Sequence, residues 1–255
     1  MQKMANQVVL ITGALTGIGR AAAEAFARKG TNLVISGRDE AKGKELEAEL
    51  KALGSAAQSE VTFIAADVRR DEEVKNLVDQ TVARFGRLDA AVNNAGTEGK
   101  PGPLTEQTAE SYAATFDTNV LGTVLSLKHE LRVMGAQRKG SIVNISSTFG
   151  QRGGAGASLY VASKHAVEGL TKAAALEGAA VNVRVNAVAP GATDTGMLDR
   201  FAGSEEVKQR MIDRVPMKRF AHPEETAKAI VFLASDDASF TTGASLSVDG
   251  GKLAQ

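Results

Sequence analysis

Ser147, Tyr160 and Lys164 are the side chains of this sequence whose types and spacing suit proton transfer: twelve residues separate the serine from Tyr160-Val161-Ala162-Ser163-Lys164. The tyrosine and lysine lie four apart in a helix-period segment, so they project from one helix face, about 6 Å apart along the axis. A free phenol, with a pKa near ~10, is a poor base at neutral pH. Bringing it near ~7 takes roughly 4 kcal/mol, and an ammonium about 4 Å away supplies on the order of 4 kcal/mol at an effective dielectric of ~20. One lysine is therefore expected to acidify the phenol sufficiently. Ser147 closes the run Ile142-Val143-Asn144-Ile145-Ser146, where a hydroxyl can hydrogen-bond an oxygen on which charge develops. Hydride delivery to a ketone creates such an oxygen and needs an acid to protonate it, and the reverse reaction needs a base. Each residue alone also fits a plainer role: a core tyrosine with a satisfied hydroxyl, a solvated lysine, a serine forming a turn.

A second group of residues suits anion binding. Thr12-Gly13-Ala14-Leu15-Thr16-Gly17-Ile18-Gly19 follows an apolar run and opens a segment containing Ala21, Ala22, Ala25, Phe26 and Ala27. Its glycines allow a tight turn and close backbone approach, and a helix N-terminus presents unpaired N–H groups to phosphate. The same glycines could serve the backbone alone. Roughly 20 residues on, Gly37-Arg38 ends the next apolar run, where a dinucleotide fold addresses the adenosine ribose. A carboxylate there would accept ribose hydroxyls and repel a 2′-phosphate; Arg38 can pair with a phosphate through its planar fork, or simply be solvated.

These groups need elements to hold them. Apolar, β-branched runs at Val8–Ile11, Asn32–Ser36, Val61–Ala65, Ala90–Asn93, Ser141–Ile145, Val183–Val188 and Leu246–Val248 alternate with helix-period segments. That alternation predicts an α/β fold: a doubly wound, Rossmann-type, seven-stranded parallel sheet with helices on both faces. Between the second and third runs, Leu46, Leu50 and Leu53 form one stripe, with Asp39 placed to cap the helix start and Gly54 its end. No repeat or linker marks a second domain, so residues 1–255 are expected to form one unit. The long connections Thr97–Thr108 and Ala192–Val215 read as mobile segments beyond the carboxyl ends of the strands, where ligands bind in such sheets. Residues 192–215 are the candidate substrate lid.

Lys plus Arg equals Asp plus Glu at 30 each, which argues against nucleic acid as a partner. There is no cysteine, and the stretch from Met1 to Gln7 leads into only four apolar residues, too few for a signal core or a membrane span. A cytosolic, membrane-free protein is the expectation. His129, His165 and His222 fit no ligand spacing, so no metal site is expected.

Together, the glycine turn, Asn93-Asn94-Ala95-Gly96, and Ser147 with Tyr160 and Lys164 resemble the short-chain dehydrogenase/reductase family, from Val8 to the closing Ser247-Val248-Asp249-Gly250-Gly251. The resemblance implies a hydride transfer between a nicotinamide cofactor and a small ketone or secondary alcohol. Tyr160 would be the general acid/base, with Ser147, Lys164 and Asn119 completing a catalytic tetrad in which Asn119 holds a relay water. It implies cofactor contacts from Gly13, Thr16, Gly17, Ile18, Gly19, Arg38, Asp67, Val68, Asn93, Ala95, Gly96, Tyr160, Lys164, Pro190, Gly191, Thr193 and Thr195. Gly37, where NAD-using members carry Asp, makes NADP(H) the preferred cofactor and NAD(H) a possible one. Many NADP-using members have a second basic residue in the glycine turn, where this chain has Thr16, with Arg20 following. The family's assembly implies a homotetramer.

Two rivals stand beside that reading. A 3-oxoacyl-[acyl-carrier-protein] reductase would meet an acidic protein through a basic patch, to which Arg132, Arg138, Lys139 and Arg152 could contribute. A non-catalytic nicotinamide-binding sensor would resemble members degraded at the tyrosine or lysine, and neither is missing. Phe149, Gln151, Met197, Leu198 and Phe201 are the candidate pocket residues.

Overall fold

The computed structural model describes residues 4–55 and 59–255. The leading stretch read above for a signal core includes residues 1–3, which lie outside the described residues. β1 (Val8–Thr12) is β-branched or apolar throughout and wholly buried. It is an interior strand of a parallel sheet with β2 (Asn32–Gly37), β3 (Val61–Ala65), β4 (Ala90–Asn93), β5 (Gly140–Ile145), β6 (Val183–Pro190) and β7 (Ser245–Val248), in the order β3-β2-β1-β4-β5-β6-β7. All seven expected strands are present. The edge strands β3 and β7 are only partly covered, so burial on both faces holds for the central five.

Residue alternation divides the core. Val9, Ile11, Leu33, Ile35 and Val143 face one side, against Phe26 of α1 (Gly17–Ala27) and Ile230 of α9 (Pro223–Ala234). Leu10, Val34, Ala91, Ile142 and Val185 face the other, where α3 (Asp71–Phe85), α5 (Gly122–Gln137) and α6 (Ser158–Ala179) supply Leu77, Leu127 and Ala174. Each buried aliphatic side chain contributes about 1.5–3 kcal/mol.

α2 (Glu40–Gly54) begins as the sequence predicts, with the Asp39 carboxylate accepting from Lys42 N at 3.1 Å. Its buried stripe is different. Leu46 and Leu50 are buried, but Leu53 is 37% exposed, and the third contact is Gly43, where a Cβ would lie 2.3 Å from the Phe63 ring. Gly54 is the last helical residue and not a left-handed cap; a Cβ there would meet Ser59 at 2.8 Å, so close approach is what selects glycine. The 192–215 connection folds into α7 (Gly196–Ala202) and α8 (Glu205–Asp213), each capped by a hydroxyl, Thr195 and Ser204.

A buried polar chain fixes α6 against the sheet. Asn93 Nδ2 donates to Asn144 Oδ1 at 3.0 Å and to Glu130 Oε2 of α5 at 2.9 Å. Asn144 Nδ2 donates to Thr171 Oγ1 of α6 at 2.9 Å, and that hydroxyl donates to Val167 O. Burial pushes the Glu130 carboxyl up to about 7, with the Asn93 bond opposing. A carboxyl raised in the folded state contributes stability that is complete below its unfolded value of 4.5 and is lost as pH rises through about 7. Glu130→Gln keeps an acceptor for Asn93 and cannot ionise. It should raise the thermal midpoint at pH 8 by at least ~3 °C and leave it nearly unchanged at pH 5, as read by calorimetry.

Candidate active site

β5 ends at Ile145, and Ser147 follows at the carboxyl edge of the sheet with its Oγ accepting from Phe149 N at 3.1 Å. α6 starts at Ser158, so Tyr160 and Lys164 occupy its first two turns and face that edge. All three side chains line one cavity of about 900 Å³. Lys164 is buried, its Nζ donating to Ile145 O at 2.9 Å and lying 5.6 Å from the centre of the Tyr160 ring. Burial pushes Lys164 down to about 8, with Glu168 opposing.

The expected acidification of the phenol is not found. Burial pushes Tyr160 up to about 12; the adjacent Ser147 hydroxyl pulls it down, and the Glu98 carboxylate adds to the rise.

Asn119 lies in a π-helical turn, Asp117–Leu121, between α4 (Ala109–Phe116) and α5. Wide turns of this kind interrupt the regular ladder and often accompany functional sites. The side chain is fully used: Nδ2 donates to Thr97 O at 2.9 Å and Ser163 Oγ at 3.0 Å, and Oδ1 accepts from Thr97 N at 2.8 Å. Asn119 therefore pins the Thr97 loop to α6 from outside the cavity wall. Gly96 separates it from the lysine, since a Cβ there would lie 3.3 Å from Asn119 Oδ1 and 3.6 Å from Lys164 Nζ.

The glycine turn lies where β1 and β4 send their connections to opposite sides, the switch point at which open parallel sheets bind ligands. Gly13 has φ +62°, and a Cβ there would be 2.7 Å from Ala95 Cα. Thr16 gives the start of α1 no side-chain cap, and the first turn holds no acid, so its N–H groups are open to an anion. Gly13, Thr16, Gly17 and Ile18 line the cavity, as do Ala95, Gly96, Pro190, Gly191, Thr193 and Thr195. Thr195 reaches the turn, its Cγ2 lying 3.1 Å from where a Cβ of Gly17 would be. An uncapped helix start and a turn with no room for side chains fit a dinucleotide pyrophosphate.

Other expected cofactor residues lie beside the cavity. Gly19 is buried under the turn, where a Cβ would be 2.3 Å from Gly13 O. Asn93 belongs to the buried chain behind β4. Arg38 is exposed after β2; its neighbours Asp39 and Asp67 pair with Lys42 and Arg69 instead. A Cβ at Gly37 would meet the Leu15 side chain at 2.7 Å. Arg20 is paired with Glu24 at 3.2 Å and with Glu49, so it points at α2 and away from the glycine turn. The Asp67 carboxylate takes Arg69, which holds it below the usual range. It does not cap α3, whose cap position is Arg70. Val68 is buried against Val74 and Leu125.

Phe149, Met197, Leu198 and Phe201 line the cavity as expected; Gln151 does not, because its amide turns to Ser245 Oγ of β7 at 2.9 Å. Arg132 is paired with Asp79, and Arg138 and Lys139 stand at the end of α5, so no basic patch forms from them at the cavity. His129 bonds Asp71 at 2.7 Å, His165 the Val161 carbonyl, and His222 precedes α9. Asn94 Nδ2 donates to Gly13 O at 2.7 Å and fastens the glycine turn to β4, the loop-tying role that its adjacent amides suggest. Two positions escaped sequence reasoning. Glu98 and Arg200 pair at 2.6 Å between the Thr97 loop and α7, and no local pattern announces such a pair.

Residues 13–252 match the family profile described as Enoyl-(Acyl carrier protein) reductase. The chain is 41% identical over 253 residues to the cis-4-hydroxycyclohexanecarboxylate dehydrogenase of Sinomonas cyclohexanicum, covering 99% of each. It superimposes on NAD+-bound xylitol dehydrogenase with a TM-score of 0.93 and 34% identity, over 98% of this chain and 100% of that one. ElxO with NADP bound gives a TM-score of 0.89 and 38% identity over 98% and 100%. Both nicotinamides thus occur among its structural relatives.

The desolvated phenol has a direct readout. Without nicotinamide, Tyr160, pushed up to about 12 by burial, should not ionise below pH ~11. Tyr160→Phe should therefore leave the phenolate absorbance titration near 295 nm unchanged over that range. Loss of a transition near pH 7–8 in the variant would refute the desolvation result.

Proposed function

We propose, on the premise that the chain belongs to the short-chain dehydrogenase/reductase family and is an NAD(P)-dependent oxidoreductase, that it moves a hydride between NADP(H) and a small ketone or secondary alcohol, with Tyr160 as the acid/base. The observation that carries this reading is the convergence of Ser147, Tyr160 and Lys164 on the cavity that also holds the uncapped glycine turn. The nicotinamide, when bound, gives or takes the hydride. The protein's residues handle the proton and the oxygen. In reduction, the Ser147 hydroxyl hydrogen-bonds the substrate oxygen as negative charge develops on it. The Tyr160 hydroxyl then donates its proton; a phenol near 12 is a competent acid toward an alkoxide, whose conjugate acid is about as weak as water at ~15.7. Lys164, charged at neutral pH with a value of about 8, stabilises the phenolate left behind. Asn119 acts by positioning the Thr97 loop and α6.

Two features support NADP(H): the Leu15 side chain fills the space a carboxylate at position 37 would need, and Arg38 has no ion-pair partner among the described residues; Arg20, paired with Glu24 and Glu49, adds nothing to it. Of the four residues named for an acyl-carrier-protein patch, Arg132, Arg138 and Lys139 stand away from the cavity and Arg152 lines it; a small substrate is favoured because the Sinomonas relative is named for a hydroxycyclohexanecarboxylate. Residues 192–215 serve as the substrate lid, held by the Glu98–Arg200 pair. We extend the reading to one domain, a homotetramer and a reducing compartment; among the described residues no helix is long and apolar enough to cross a membrane.

A screen of ketones and alcohols with both nicotinamides, followed by absorbance of the reduced ring, tests the reaction. Tyr160→Phe should lower kcat by on the order of 10²–10⁴ while leaving NADPH affinity within a few fold; retained turnover would remove the assigned acid. Arg38→Ala should weaken NADPH about tenfold or more and NADH little, and equal losses would refute the cofactor preference.

A further inference from the structure

One wall of the cavity gathers positive charge that the protein does not neutralise. Arg152 comes from the connection between β5 and α6, Arg214 from the end of α8 and Lys252 from the C-terminal turn, and all three line the cavity. Among the described residues none has a carboxylate within ion-pair distance, and the acid that lines the cavity, Glu98, is taken by Arg200. The nearby Asp249 carboxylate accepts from Gly251 N at 2.9 Å and Leu253 N at 2.7 Å. Lys252 Nζ has only neutral acceptors, Arg214 O at 2.7 Å and Gln255 Oε1 at 3.1 Å. Burial, with the charges of Arg152, Arg214 and Lys218, holds that ammonium below the usual lysine range.

Arg152 is the most informative of the three. Its guanidinium carbon lies over the Phe149 ring, 4.9 Å from the centroid, while its Nε is buried without a partner. Phe149 in turn stands edge-on to Tyr160 at 6.1 Å. One aromatic ring therefore separates an unmet cationic donor from the proposed acid. Like charges around an unmet donor are unfavourable unless an anion sits among them.

We infer that the substrate is an oxo or hydroxy carboxylic acid whose carboxylate is bound by Arg152, with Lys252 and Arg214 in support, while its carbonyl or hydroxyl carbon meets Tyr160. A guanidinium edge can take the two oxygens of a planar carboxylate in parallel. The span across Phe149 sets a compact skeleton, with several carbons between acid group and reacting carbon. The inference rests on the reading of Tyr160 as the acid, but the anion site can be tested apart from it.

Two measurements do so. The first compares kcat/KM for 4-oxocyclohexanecarboxylate and 4-oxopentanoate with that for their methyl esters, in wild type, Arg152→Gln and Lys252→Gln. The acids should be preferred at least tenfold, and each substitution should reduce the acid-to-ester ratio, Arg152→Gln by tenfold or more. The second follows cyclohexanecarboxylate binding by calorimetry in the presence of NADP+, expected to saturate in wild type and to weaken at least tenfold in Arg152→Gln. Esters used as well as acids, or binding indifferent to Arg152, overturns the anion site and leaves the hydride chemistry standing. Arg152-dependent binding without turnover of any ketone supports the site and instead removes the proposed reaction.

Discussion

Lys164 holds an ammonium out of water at the carboxyl edge of the sheet, with the Ile145 carbonyl as acceptor and the Tyr160 ring above it. Burying such a charge is costly, and its depressed pKa of about 8 records the cost. The arrangement persists because α6 cannot move away. Asn93, Asn144 and Thr171 tie that helix to β4 and β5, Glu130 ties the same chain to α5, and Asn119 ties α6 to the Thr97 loop through Ser163. The site geometry is thus a property of the polar network behind it. Tyr160 is presented by a helix whose position was fixed by groups that never reach the cavity.

The opposite wall is governed by crowding. Gly13 sits against Ala95, Gly19 against Gly13 O, and Gly17 close to Thr195, leaving backbone N–H groups and no side chains where an anion would approach α1. Asn94 and the Thr12 hydroxyl, which accepts from Asn94 N and Ala95 N, hold β1 and β4 in this contact. Anion affinity here comes from backbone groups that need no rearrangement. Outside the turn, Arg20 is neutralised against α2, whereas Arg38 has no ion-pair partner among the described residues.

Ion pairing divides the surface in the same way. Most exposed cations have a carboxylate neighbour, many at helical i,i+3 or i,i+4 spacing, and such pairs contribute little to stability. Around the cavity the exceptions matter more than the pairs. Glu98 and Arg200 neutralise each other between the Thr97 loop and α7, and among the described residues Arg152, Arg214 and Lys252 are left over on the remaining wall.

The sequence by itself determined the strands, their parallel α/β arrangement, the glycine turn and the pairing of Tyr160 with Lys164, because each is encoded in a short run: a continuous apolar stretch, a fixed turn spacing, or two residues one helical turn apart. It misplaced Leu53 and Gly54, since whether a helical position is buried depends on what lies beneath it, here Phe63 and Ser59. It also assigned the phenol a low pKa from a lysine at helical distance. Only the tertiary structure decided that pKa, because desolvation depends on everything packed around the hydroxyl, and Ser147 and Glu98 come beside it only in the fold. The same holds for Glu98 with Arg200 and for Arg152 with Arg214 and Lys252: charges far apart along the chain become neighbours only when the connections fold over one cavity, and Coulomb interaction acts through space and not along the sequence.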